Sequence, residues 1–166
     1  MASSDATESH GAKMNADKEI SDLVYKSCFM LDEMDFSGYL SLCAPDYRYR
    51  VVAYSPELRK DMVWQDVDKE AMQHHLELVP KHVREMVSVS RFPTVYLIEY
   101  EDGGRRAKVF SGMQLFKTKL DGGETRLYAV CRLNDVVDLS NGAPRLLSRE
   151  VRMHTRQLGT GTQVPF

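Results

Sequence analysis

The chain has 166 residues, 43% hydrophobic and 28% charged, a size and composition that suit one globular domain with its own core and exclude a disordered chain. Its 22 basic and 24 acidic side chains nearly cancel to a formal charge of -2, so charge makes no case for a nucleic-acid or membrane partner. No apolar run approaches the roughly 20 residues of a membrane-spanning helix, and the opening "MASSDATESHGAKM" lacks the apolar centre of a secretory signal, so the expected location is cytoplasmic.

Residues 1–16 read as a flexible leader rich in Ser, Ala, Thr and Gly, ahead of a single domain over 17–166. From Asp17 the pattern becomes helical, with Ile20, Leu23 or Val24, Cys28, Leu31 and Met34 recurring at steps of three and four and Asn15 or Asp17 available as the cap. A short helix is expected over Phe36 to Cys43, stopped by Pro45. In "DYRYRVVAY", Tyr47, Tyr49, Val51 and Ala53 alternate with Arg48, Arg50, Val52 and Tyr54, the mark of a strand. Ser55 to Trp64 reads as a loop, and Val67 to Val79 as a helix capped by Asp66 or Asp68 and ended or kinked by Pro80.

Four strands follow: Thr94 to Tyr100, Arg105 to Lys119, Thr125 to Leu139 and Pro144 to Gln157. The turns "EDGG", "LDGG" and "SNGA" tolerate positive backbone angles and join these strands into an antiparallel meander. In "RLYAVCRL", Leu127, Ala129, Cys131 and Leu133 share one side while Tyr128 and Val130 take the other, so helices can cover one face and a partner protein the second. The fold class expected is α+β, with amino-terminal helices against a strongly curved antiparallel sheet.

Candidate chemistry is thin. Cys28, Cys43 and Cys131 are widely spaced and read as small buried hydrophobes. His74 and His75 project about 100° apart on a helix, and Pro80 separates His75 from His82, so no metal set is proposed. A proton-transfer pocket could combine Asp46, His75 or His82 and Tyr49, with Tyr47 nearby in sequence: the carboxylate would orient the imidazole and a phenol would steady an oxyanion. That arrangement would make the chain a stand-alone isomerase or dehydratase, and a pocket without the acid–base pair would make it a homo-oligomeric ligand-binding module. In "PRLLSREVRMHTRQ", Arg152 and Arg156 share a direction with Glu150, whereas Arg145 and Arg149 share one with Leu147, Val151 and Met153, a pattern suited to pairing a partner's carboxylates.

The stretches "LDEMDFSGYLSLCAPDYRYRV", "REMVSVSRF", "SGMQLFKTKLDGGETRL" and "CRLNDVVDLSNGAPRLLSREV" together resemble the small, or beta, subunits of Rieske-type ring-hydroxylating oxygenases. Leu31, Asp32, Phe36, Tyr39, Leu40, Asp46 and Tyr49 follow the family's order, while "VCRLNDVV" keeps Arg132 and Asp135 of its Gly-Arg-Arg-x-Asp run but has Cys131 and Leu133 at the other places. The resemblance implies an NTF2/SnoaL-like cone and a non-catalytic subunit with no cofactor or metal of its own. It also implies an α3β3 assembly with an alpha subunit holding a Rieske [2Fe-2S] cluster and mononuclear non-haem iron, fed with NADH electrons by reductase and ferredoxin components. The Cys-x-His and Cys-x2-His units of a Rieske centre do not occur in this sequence. Arg91, Phe92, Arg132, Arg149 and Arg152 are the expected alpha-contact or assembly residues, with Tyr47 and Tyr49 as weaker contributors.

Overall fold

Six strands and three helices account for most of the chain in the computed structural model, which describes the backbone over 3–82, 87–157 and 164–166 and the side chains over 11–80, 87–157 and 164–166. The order is α1 (Ser3–Asp32), α2 (Phe36–Ser41), β1 (Cys43–Ser55), β2 (Lys60–Asp68), α3 (Lys69–His82), β3 (Val87–Glu101), a 3-10 turn (Asp102–Gly104), β4 (Arg106–Lys119), β5 (Thr125–Asp138) and β6 (Arg145–Met153). The strands form one sheet in the order β2-β1-β6-β5-β4-β3.

Helix α1 buries Ile20, Leu23, Val24, Ser27, Cys28 and Leu31 along one stripe and packs on β3. It starts well upstream of the expected Asp17, taking in much of the segment read as a leader. Residues 11–15 are exposed and offer no apolar stripe, which is why periodicity alone did not reveal that part of the helix. Asn15 and Asp17 therefore lie inside the helix instead of capping it: Asn15 Nδ2 donates to Glu19 Oε1 at 2.8 Å, and Asp17 accepts from the Tyr100 hydroxyl at 2.6 Å.

Helix α2 is capped by Asp35, whose carboxylate accepts the Gly38 N–H at 2.8 Å, and it ends at Ser41. Pro45 falls within β1, in the irregular stretch where the ladder to β6 skips from Cys43 to Arg48, a place where its missing N–H costs no pairing. The alternation expected in β1 holds, with Tyr47, Tyr49, Val51 and Ala53 buried.

The expected loop around Ser55 to Trp64 is corrected in its second part: Lys60–Asp68 is the edge strand β2, paired with β1 alone. Its residues are exposed or half-buried throughout, so the period-two signal of a half-buried strand never develops. Asp68 caps α3 by accepting from Ala71 N–H at 2.8 Å, and Pro80 sits in the last turn of a helix that continues to His82.

The three hairpins form as expected, with Gly103, Gly123 and Gly142 at positive φ. The sheet is mixed: four neighbouring strand pairs are antiparallel, but β1 and β6 run parallel. A parallel partner far along the chain leaves no local turn signature, so only β1's place between β2 and β6 reveals it. Helices and the inner sheet face enclose the core of the cone. Among the described residues, no helix is long and apolar enough to cross a membrane.

Candidate functional site

The inner face of the sheet, the place an acid–base pocket would take, carries polar side chains paired with one another. Arg149 and Asp135 face each other across the β5–β6 ladder, both side chains 0% exposed, with Nε to Oδ1 at 2.8 Å and Nη2 to Oδ2 at 2.7 Å. This fork-to-fork geometry is what allows two charges to leave water together. Tyr39 and Tyr47 share a hydroxyl–hydroxyl hydrogen bond of 2.7 Å with their rings edge to face, and the Tyr49 hydroxyl accepts the Phe166 N–H at 2.9 Å.

Segment 164–166 closes this interior. Phe166 and Pro165 are buried, and Pro165 C=O accepts from the Arg91 guanidinium. Arg91 is itself clamped by Asp32 at the end of α1, whose carboxylate takes the Arg91 backbone N–H at 2.9 Å and Nη1 at 2.5 Å. The end of α1, strand β3, strand β1 and segment 164–166 are thus tied through one carboxylate, one guanidinium and one phenol.

Burial pushes the phenols of Tyr39, Tyr47 and Tyr49 upward, and burial followed by the Asp17 carboxylate raises Tyr100 to about 12. A phenol whose folded pKa exceeds its unfolded value contributes stability that is complete below about pH 10 and is lost as pH climbs through the folded value. Absorbance titration of tyrosinate is therefore expected to show these four residues ionising together with alkaline unfolding. Early titration of Tyr39 and Tyr47 in the folded protein would contradict the enclosed pair.

Of the candidate acid–base set, Asp46 does not join Tyr49. Asp46 is exposed and lies at an alternate position of β1 to buried Tyr47 and Tyr49, so a period of two turns it to the other side of the sheet. His75 is half-buried on α3, whose core stripe is Met72, Leu76 and Val79, and the His82 side chain lies outside the described residues.

The cysteines are buried, and burial pushes Cys43 and Cys131 up to about 12, the opposite of what a thiolate ligand requires. Among the described residues, no three His, Cys, Asp or Glu side chains stand together as metal donors. The donors among the described residues do not fit an iron–sulfur cluster or a mononuclear iron.

Of the expected alpha-contact or assembly residues, Arg149, Tyr47 and Tyr49 are fully enclosed and Arg91 nearly so, a placement that suits a part in shaping the cone. Arg152 also finds its carboxylates within the chain: it forks onto Asp61 of β2 with two bonds of 2.8 Å and reaches Glu150 at 3.1 Å. Missing β2 hid Asp61. Phe92 and Arg132 remain exposed.

Those two belong to an outer surface that the sequence only partly disclosed. Phe92 meets Phe116 edge to face with centroids 5.6 Å apart, and the Arg132 guanidinium lies 5.2 Å from the Tyr96 ring centre. Tyr96 lies across Gly112, where a Cβ would collide with its hydroxyl. An isolated glycine inside a strand was the available sign of that close approach. Two grooves share Phe92 and Gln114: one of about 190 Å³ reaches Tyr96, Arg132 and His154, and one of about 470 Å³ runs beside Phe116 and Thr118.

No family model matches the chain. It is similar to the methanesulfonate monooxygenase hydroxylase subunit beta of Methylosulfonomonas methylovora, with 31% identity over 150 residues, covering 86% of this chain and 83% of that protein. It is also similar to the 2-aminobenzenesulfonate 2,3-dioxygenase subunit beta of an Alcaligenes species, 28% identical over 147 residues and covering 89% and 97% of the two chains. A solved beta subunit attributed to an aromatic-ring-hydroxylating dioxygenase of Novosphingobium aromaticivorans superposes with a TM-score of 0.77 at 22% identity, covering 90% of this chain and 95% of that one.

Proposed function

Because the chain belongs to the beta subunits of the Rieske-type ring-hydroxylating oxygenases, we propose that it works as a non-catalytic brace, holding an iron-bearing alpha subunit in register while the oxidation takes place in that partner. The observation that carries this reading is the state of the cone interior. The place where an NTF2-like enzyme would need an open pocket is occupied by the Arg149–Asp135 pair, the Tyr39–Tyr47 bond and buried Phe166. Small displacements of a metal centre disturb its chemistry even when its ligands are intact, so a rigid support can govern activity without touching substrate.

The assembly we propose is α3β3 in the cytoplasm, with the Rieske cluster and non-haem iron in the alpha subunit and NADH electrons delivered by ferredoxin and reductase components. The two curated relatives are named for sulfonates, one aliphatic and one aromatic. We therefore assign the complex an organosulfonate substrate, with methanesulfonate as the first choice and formaldehyde and sulfite as its products. Among the contacts expected from sequence, Phe92 and Arg132 are retained as direct ones, and Arg91, Arg149, Arg152, Tyr47 and Tyr49 act by shaping the cone behind them.

Native mass spectrometry of the chain co-expressed with its large subunit tests the assembly. The expected species contains equal numbers of both chains and carries all its iron on the large one. Two folded chains that never associate would refute the reading. Supplying the complex with methanesulfonate or 2-aminobenzenesulfonate then decides between the aliphatic and aromatic classes.

A further inference from the structure

An exposed sheet face is informative when its side chains are held in place before any partner arrives. On the outer side of β3, β4 and β5, Phe92 and Tyr96 are 59% and 58% exposed. Neither behaves as a free surface aromatic. Tyr96 is seated over Gly112, the Arg132 guanidinium lies by its ring, and Phe92 is braced edge to face by Phe116. Large side chains fixed in this manner lose little rotamer freedom on binding, which is the property of the aromatic and arginine anchors that dominate interfaces.

Charge then selects the occupant. Arg48, Arg50, Arg152 and Arg156 each hold a carboxylate of this chain. Arg132 has none among the described residues. Its cross-strand neighbours are Gly112 on β4 and Arg152 on β6, and Arg152 already engages Asp61 and Glu150. A second copy docking about a two-fold axis centred on this patch would set Arg132 against another Arg132, a like-charge contact that disfavours that homodimer. A different chain bringing a carboxylate relieves the excess charge, and its apolar side chains can enter the groove between Phe92, Phe116 and Thr118.

We propose that this outer face, centred on Phe92, Tyr96 and Arg132, is the docking surface for the alpha subunit, with an acidic side chain of the partner meeting Arg132 and an apolar one lying beside Phe92. The assignment rests on the reading of the chain as a beta subunit. It deepens that reading by naming where the partner sits. The Asp32–Arg91 clamp acts from behind: Arg91 points inward and Phe92, the next residue, points outward, so the clamp fixes the stretch of β3 that displays the anchor.

The test measures affinity between full-length large subunit and the full chain carrying Tyr96→Ala, Arg132→Glu or Gly112→Ala, with Phe29→Ala on α1 as the comparison, since Phe29 is 63% exposed. Circular dichroism checks that each variant keeps its fold. Gly112→Ala is the fallback should the others not fold, because it displaces only the Tyr96 ring. The expected result is a weakening of about thirtyfold or more for the face variants, the scale of an interface hot spot, and unchanged binding for Phe29→Ala. Added salt should weaken the wild type more than Arg132→Gln.

Wild-type association combined with undiminished binding by the face variants, or loss only in Phe29→Ala, overturns this surface and leaves the beta-subunit reading standing. Failure of the wild type to bind the large subunit overturns both. Self-association of the wild type that Arg132→Glu weakens assigns the face to a second copy and overturns the proposal.

Discussion

Replacing Arg149 by leucine is expected to destabilise the fold by about 3–5 kcal/mol, the range for breaking a buried ion pair. The reason is what remains behind: the Asp135 carboxyl group stays at 0% exposure and loses both of its hydrogen-bond donors from Arg149. For a chain of this length that corresponds to a fall in Tm of roughly 6–20 °C. Changing both partners together, Arg149→Leu with Asp135→Leu, should recover most of the loss, because two apolar side chains need no partners and often match a buried pair in stability. Thermal melts of the two single variants and the double variant close a double-mutant cycle. Equal instability of the single and double variants would show that volume, and not the stranded charge, is what Arg149 contributes. The functional consequence follows from position: the pair joins β5 to β6 three positions along the ladder from Arg132 and Arg152, on the opposite face, so a loosened pair should lower the yield of assembled complex more steeply than it lowers secondary structure.

Asp32→Ala is expected to cost about 2–3 kcal/mol, somewhat less because the Asp32 side chain keeps 21% of its exposure while that of Arg91 has none. Among the described residues, the guanidinium left behind holds only Pro165 C=O. The loss should spread to segment 164–166, where the Phe166 amide bonded to the Tyr49 hydroxyl should exchange its hydrogen much faster than in the wild type. Phe166→Ala is expected to be non-additive with Asp32→Ala, since both loosen the same connection between α1, β3 and β1. Additivity within about 0.5 kcal/mol would mean that the two ends of the connection act separately.

Much of this architecture was legible because its signals are local. The Asp-Gly and Asn-Gly turns set the β3–β6 meander, and strict alternation put Tyr47, Tyr49, Val51 and Ala53 on the buried side of β1. The same alternation had grouped Arg149 with Val151 and Met153, which are core residues. Its burial could be read from that grouping, but its partner could not, because Asp135 lies across a strand pairing. Strand β2 went unseen because a sheet edge exposes both faces, and with it went Asp61, the residue that turns Arg152 from a free cation into a paired one. The parallel contact of β1 with β6 and the link between Asp32, Arg91 and segment 164–166 join residues far apart in the chain, where no periodicity reports proximity. On the outer face, Phe92 and Arg132 were picked out by residue type together with the family resemblance, whereas the seating of Tyr96 over Gly112 needed the register of β3 against β4.

Iron content and organosulfonate-dependent oxygen uptake, measured on the purified chain, on the large subunit and on their complex, test the division of labour most directly. The account predicts no iron and no turnover for this chain alone, with both present once it is joined to the large subunit. Turnover by the isolated chain that disappears on Asp46→Asn or His75→Ala, with the fold intact, would contradict it.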